Sequence, residues 1–325
     1  MVAPNHVRGD PSFAAAPIVV GVNGSSEALR AARWAGAVAE RLQAPLRILT
    51  ATPYVGHLPS DLAAVARVAA IEEHRESAEL ILKTAADAVR ADRAELIVTA
   101  ASVTEAAPQA LDAASRTARL LVLACDDLTV AGAVLIGSTT LATLAHSTCP
   151  VVAWRGGVTS PTHQPIVVGV DGSAIDGGAL GVAFELASRL DASLKVISCW
   201  PTHIVMPTLT GPPVIEWDST TQAQWRHLNE LLDPWRDTYP HVDVKLIFGP
   251  DKPGRALLLH SSGAQLLVIG SRRRDPLPGG LFGSTSMNLL HHSKVPVVLC
   301  PFDDDQDVKS ASTDFPADGI ACRPA

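Results

Sequence analysis

The groups in this chain best suited to chemistry lie in one run, Gly270-Ser271-Arg272-Arg273-Arg274-Asp275-Pro276-Leu277-Pro278-Gly279-Gly280-Leu281-Phe282-Gly283-Ser284-Thr285. The chemistry they suit is holding phosphate. The apolar stretch Leu266-Leu267-Val268-Ile269 precedes the run and a helix-like segment follows it, which gives a glycine-rich loop between a buried strand and a helix N-terminus. Unsatisfied N–H groups at a helix start, with the positive end of its dipole, favour an anion at Gly283, Ser284 and Thr285. Gly270 lets the main chain come close, and Arg272, Arg273 and Arg274 add charge-assisted donors beside Ser271. Three arginines alone read as a solvated loop; the adjoining Gly283-Ser284 makes phosphate contact the stronger reading.

A duplication sets the elements that must position this loop. Pro17-Ile18-Val19-Val20-Gly21-Val22-Asn23-Gly24-Ser25 recurs as Pro165-Ile166-Val167-Val168-Gly169-Val170-Asp171-Gly172-Ser173, with one change in nine positions. Arg41-Leu42-Gln43-Ala44-Pro45-Leu46 answers Arg189-Leu190-Asp191-Ala192-Ser193-Leu194, and Gly137-Ser138-Thr139 answers Gly283-Ser284-Thr285. A period of about 140 residues marks a repeated domain, too long for a solenoid unit. Apolar runs predict strands near 17–22, 45–51, 94–99, 119–124 and 150–154, then near 165–170, 193–199, 242–248, 265–270 and 296–300. Helices fall near 25–42, 63–91, 104–116 and 138–146, then near 174–190, 218–238, 252–262 and 284–293. Ser173 and Asp176 resemble a capping pair. Strands that are apolar throughout and alternate with helices imply a parallel sheet covered on both faces. The expected organisation is a disordered tail over 1–16, a first domain over 17–155, a linker over 156–164, a second domain over 165–301, and an acidic disordered tail over 302–325.

A strand ending in Val-Gly-Val-Asp-Gly-Ser, a later strand ending at Gly270, and a G-x2-G-x9-G-S/T spacing together resemble the universal stress protein family, in the tandem-domain form common in actinobacteria. The resemblance covers both halves. It implies an α/β fold of two tandem Rossmann-like domains of the adenine nucleotide alpha hydrolase-like kind. Each would be a five-stranded parallel sheet of order 3-2-1-4-5 with helices on both faces. That order reverses between strands 1 and 4, so Asp171 and Gly270 would face each other across one crevice. The resemblance further implies ATP there, with or without Mg2+. Gly169 and Asp171 would lie against the adenosine, the Asp171 carboxylate accepting from a ribose hydroxyl, with the backbone of Ile197 to Cys199 edging the adenine. Gly270, Gly283 and Ser284 match the phosphate loop, while Arg273 stands where its second glycine belongs. The first half departs further: Ala124-Cys125-Asp126-Asp127-Leu128 lacks both early glycines and sets two carboxylates where phosphates would pass, and Asn23 replaces the aspartate. The expectation is a degenerate first site and an ATP-binding second one. Family members also pair through their final strands, which sets Val151-Val152-Ala153 against Val297-Val298-Leu299 in either a homodimer or an intrachain pseudo-dimer.

Composition narrows the classes. A net charge of -7 argues against binding nucleic acid or a membrane surface by bulk electrostatics. No apolar run reaches the length of a bilayer span, and residues 1–17 lack the pattern of a secretion signal, so the expected location is cytoplasmic. Five cysteines without a C-x-x-C pair read as free thiols, and His291-His292 lacks a third metal-ligand candidate. Trp200, Trp217, Trp225 and Trp235 read as core or lid packing, Trp200 being close enough to the adenine-edge strand to stack on a ligand. No nucleophile elbow, P-loop, dinucleotide fingerprint or zinc-protease motif occurs, and Asp275 is the one general-base candidate. Three readings stand: an ATP-responsive regulatory or stress-survival factor serving a protein partner, a non-nucleotide interaction module, and an ATPase or transferase using Asp275. The first is the expectation; catalysis is not.

Overall fold

The structure is a computed structural model that describes residues 16–52, 61–125, 129–130, 133–134, 136–173, 176–200, 217–272 and 283–302. The expectations for 1–15 and 303–325 of the two tails, for Asp126 and Asp127, and for Arg273, Arg274 and Asp275 lie outside the described residues, whereas Phe302, expected in the tail, ends a strand. The first domain runs β1 (Ile18–Gly21), α1 (Ser26–Arg41), β2 (Leu46–Ala51), α2 (Asp61–Asp92), β3 (Val98–Val103), α3 (Ala107–Ser115) and β4 (Leu120–Ala124). A short ribbon, β5 (Thr129–Val130) with β6 (Ala133–Val134), then leads to α4 (Ser138–His146) and β7 (Val151–Trp154). The second domain repeats the plan as β8 (Ile166–Val170), α5 (Asp176–Leu190), β9 (Leu194–Trp200), α6 (Trp217–Thr238), β10 (Val244–Pro250), α7 (Pro253–Ser261), β11 (Leu266–Arg272), α8 (Ser284–His292) and β12 (Val297–Phe302).

All strands but the ribbon share one sheet, ordered β10-β9-β8-β11-β12-β7-β4-β1-β2-β3. Each half is parallel and reads 3-2-1-4-5 from its outer edge. The halves meet where β12 pairs antiparallel with β7, Val297 opposite Ala153, Val298 opposite Val152 and Leu299 opposite Val151. Valines, leucines and isoleucines of the central strands are buried on both faces, the pattern of a sheet with no solvent side. One face is covered by α1, α2, α5 and α6, the other by α3, α4, α7 and α8. Short side chains let helices sit close: α1 buries Ala28, Ala31, Ala32, Ala35 and Ala39.

Side chains also cross the junction. Arg119, at the foot of β4, pairs with Glu185 of α5 and donates to the Leu42 carbonyl at 3.2 Å. Arg155, buried just after β7, donates to the Ser293 carbonyl at the C-terminus of α8 at 3.0 Å, where a cation also suits the helix dipole. The linker is tied to the second domain through Gln265, whose Oε1 accepts from Thr162 N–H at 3.0 Å and whose Nε2 donates to the carbonyls of Thr162 and Gln164.

Four strands, β3, β10, β11 and β12, differ from the sequence reading. β3 starts at Val98 rather than near 94, and β10 at Val244 rather than near 242. In both, the first apolar residue closes a turn: Leu96 N–H bonds to the Arg93 carbonyl, Val242 N–H to that of Tyr239. Those side chains plug the bottom of the core before the ladder begins. β11 continues past Gly270, because β12 runs to Phe302 and offers Pro301 and Phe302 as partners for Ser271 and Arg272. Gly270, Ser271 and Arg272 are therefore strand residues and not loop residues.

Candidate functional site

The crevice of the second domain opens at the carboxyl ends of β8 and β11, where the strand order reverses. Gly169 sits in β8 between Ile269 of β11 and Ile197 of β9. A Cβ there would lie 3.0 and 3.1 Å from the two methyls of Leu257, so glycine is what allows α7 to approach this strand. Its counterpart Gly21 is tighter still, with Leu123 at 2.7 Å and Leu111 at 3.2 Å from a built Cβ.

Beyond β8 the chain turns sharply. Asp171 Oδ1 accepts from Ser173 N–H at 2.9 Å, and Gly172 adopts φ +82°, which explains the glycine. The first domain builds the same turn with Asn23 Oδ1 accepting from Ser25 N–H at 3.0 Å and Gly24 at φ +85°. In the second domain α6 holds the turn from outside, His227 Nε2 lying 3.1 Å from the Gly172 carbonyl oxygen. In α1, Ser25 Oγ caps the helix by accepting from Ala28 N–H. The expected partnership of Ser173 with Asp176 falls across residues 174–175, outside the described residues.

The start of α8 forms the far wall. Gly283 is its N-cap at φ -62° and ψ 152°, without a side-chain cap and without an acidic residue in the first turn. The first helical bond is Met287 N–H to the Gly283 carbonyl at 3.1 Å, so the N–H groups of Ser284, Thr285 and Ser286 precede the ladder. α1 differs, since Ser25 and Glu27 occupy its positive end. A helix start left open beside a cavity is an electrostatic seat for an anion.

Together these elements enclose a cavity of about 180 Å³ lined by Gly169, Asp171, Ile197, Cys199, Leu257, Gly270 and Thr285 among others. Of the residues singled out in sequence, Gly169, Asp171, Gly270 and Thr285 meet here, with Gly283 and Ser284 beside Thr285 on the helix start. Ser271 is buried within β11 and does not line the cavity, a correction that follows from the longer strand. Arg272 ends the same strand. Sequence reasoning missed Pro253 and Leu257, which α7 brings over the base of the cavity. Their signal was the glycine in β8, which makes room for a large neighbour. It also missed His227, whose role depends on how α6 packs.

Cys199 lines the cavity with its thiol pushed above the ordinary range, first by burial and then by the Asp251 carboxylate. Cys300 is raised by full burial and by neighbouring Cys149. Cys125 and Cys149 are buried. Alkylation followed by peptide mapping should therefore label Cys199 before these three. The rate should rise as pH climbs through and beyond the usual thiol range, because the thiolate forms late. Faster labelling of Cys149 or Cys300 would contradict this packing.

This is a doubly wound α/β protein with a crevice at each of two switch points. The family model of the universal stress protein family matches residues 15–155 and again 162–301. Universal stress protein Rv2005c of Mycobacterium tuberculosis is 31% identical over 287 residues, covering 87% of this chain and 96% of its own. Universal stress protein Rv1996 of the same organism is 30% identical over 307 residues, covering 90% and 96%. The chain belongs to the universal stress protein family, as a tandem-domain member. The crystal structure of a universal stress protein from Archaeoglobus fulgidus shares the fold at 18% identity, with a TM-score of 0.67 over 90% of this chain and 99% of that one. Among the described residues, no helix is long and apolar enough to cross a membrane.

Proposed function

We infer that the protein binds ATP in the second-domain crevice and acts as a nucleotide-responsive regulatory factor in stress survival, in the cytoplasm. The observation that carries this reading is the placement of Asp171 and the open start of α8 on opposite walls of one cavity. The apolar pocket between Ile197 and Leu257 takes the adenine, Asp171 accepts from the ribose, and the phosphates leave along the N–H groups of Ser284 to Ser286. Arg272, Arg273 and Arg274 follow in sequence with charge of the sign a triphosphate needs. Mg2+ would travel on the phosphates. The role proposed is binding rather than catalysis: among the described residues Asp171 is the single carboxylate on the cavity wall, and Ser173 N–H already engages it. The name carried by the mycobacterial relatives supports the stress role. For occupancy to signal to a partner, ATP must favour one conformation over another.

The test is chromatography and mass spectrometry of nucleotide released by denaturing freshly purified protein. The expected result is about one ATP per chain, with Asp171→Ala losing it. Two equivalent ATP sites per chain would overturn the preference for the second domain. No nucleotide, together with no thermal shift in millimolar Mg-ATP, would move the protein to the class of interaction modules.

A further inference from the structure

Two arginines are buried at the junction of the domains, and among the described residues only one of them meets a carboxylate. Arg119 reaches Glu185 across the junction and the Leu42 carbonyl beside it. Arg155 is 3% exposed and donates from Nη1 to the Ser293 carbonyl at 3.0 Å. Its Nε and Nη2 are buried and have no hydrogen-bond partner among the described residues. The placement follows from the strand before it. Val151 and Ala153 of β7 face the layer of α4 and α8, so the alternation carries Arg155 to that side, where Ser293 ends α8. Gly156, at φ +95°, then turns the chain away.

The N–H bonds of Nε and Nη2 run parallel along one edge of the guanidinium, and that edge grips two oxygens of a single group. Arg33 uses it so, giving Nε to Asp92 Oδ2 at 2.8 Å and Nη2 to Asp92 Oδ1 at 3.1 Å. On Arg155 the same edge lies inside the protein, where an unpaired cation is costly and a bound anion would remove the cost. The sequence around it adds charge of the same sign: His291 and His292 close α8, and Lys294 follows Ser293. Neither crevice includes this group, since Arg155 and the residues of β7 line neither cavity. Nor is it repeated. With Val151 to Trp154 set on Val297 to Cys300, its counterpart is Pro301. We propose that the edge formed by Nε and Nη2 of Arg155 binds a small oxyanion, one per chain, through two oxygens at once. The ion ties the end of β7 in the first domain to the end of α8 in the second, and it does so whether or not either crevice holds a nucleotide.

Inorganic phosphate and formate are the probes, compared with chloride at equal ionic strength in thermal melts of the full chain. The wild type should melt roughly 2–4 °C higher in about 50 mM phosphate or formate than in chloride, the response of a site with millimolar affinity. Arg155→Met should lose that rise. Arg155→Lys, which keeps the charge without the paired N–H edge, should lose most of it as well. Gly283→Asp, which alters only the start of α8, should keep it. An undiminished rise in either Arg155 variant would place the ion elsewhere and overturn the proposal, as would a rise lost in Gly283→Asp or no rise over chloride with both probes. Should the Arg155 variants fail to fold, anomalous diffraction from wild-type crystals soaked in selenate decides: a peak on the Nε and Nη2 edge is expected, and a water or a side chain there overturns the site. ATP titration is a separate readout, so either reading can fail while the other stands.

Discussion

Replacing Gly283 with aspartate is expected to make the protein more stable and unable to hold ATP. The backbone at Gly283, φ -62° and ψ 152°, is open to any residue, and a Cβ there meets no atom of the described residues within 4 Å. Aspartate is a preferred N-cap, and its carboxylate can accept from the exposed N–H groups of the first turn, as Ser25 Oγ does from Ala28 N–H in α1. The gain over glycine should be a few tenths to about 1 kcal/mol, including the dipole contribution. The same carboxylate occupies the anion seat, and like charges in contact cost several kcal/mol, so ATP affinity should fall about 100-fold or more. Thermal melting and ATP titration on one preparation check both signs. The matching change at Gly137, the uncapped start of α4, should stabilise equally and leave ATP binding intact. A Gly283→Asp protein that melts higher and still binds ATP normally would remove α8 from the site.

Much of this architecture was legible because the duplication repeats its signals. Two copies of Pro-Ile-Val-Val-Gly-Val with a following Gly-Ser mark both first strands and both turns, and the turns prove superimposable down to one side-chain hydrogen bond each. Where apolar pattern alone guided the reading, it erred by the width of a turn. Leu96 and Val242 look like strand residues, and hydrophobicity does not distinguish a residue that plugs a core from one that joins a ladder. The extension of β11 through Arg272 was invisible for another reason: a strand ends where its neighbour stops offering hydrogen bonds, and that neighbour, β12, lies 30 residues away in sequence at Phe302. Glycine spacing marked the uncapped start of α8. The base of the cavity came from α7, whose Pro253 and Leu257 carry no motif, and the brace on Gly172 came from a histidine on a distant helix. Contacts made by packing between elements leave little trace in local pattern.

The largest expected loss of stability comes from Phe184→Ala. Phe184 is fully buried on α5, stacked on Trp235 with centroids 6.1 Å apart and on Tyr239 at 5.9 Å, with interplanar angles of 18° and 25°. Removing the ring leaves a cavity that two large neighbours cannot fill, which costs about 3–5 kcal/mol and lowers the melting temperature by roughly 10 °C. The first domain solves the same contact by the opposite means. Its counterpart of Phe184 is Gly36, and its counterpart of Trp235 is Val89, whose Cγ1 would lie 2.7 Å from a Cβ at Gly36. One interface is spaced by aromatic rings and the other closed onto a bare helix, so Gly36→Ala should overpack where Phe184→Ala underpacks. Overpacking costs about 1–3 kcal/mol, partly offset by about 1 kcal/mol of helix propensity. The two losses should also differ in function. Phe184 joins α5, which follows the Asp171 turn, to α6, which braces that turn through His227. Loosening that joint should weaken ATP binding along with the fold, whereas Gly36→Ala should leave it unchanged. Phe184→Leu, which keeps most of the volume, should recover much of both losses. Nucleotide affinity that survives the full destabilisation of Phe184→Ala would show that the turn holds its shape without α6.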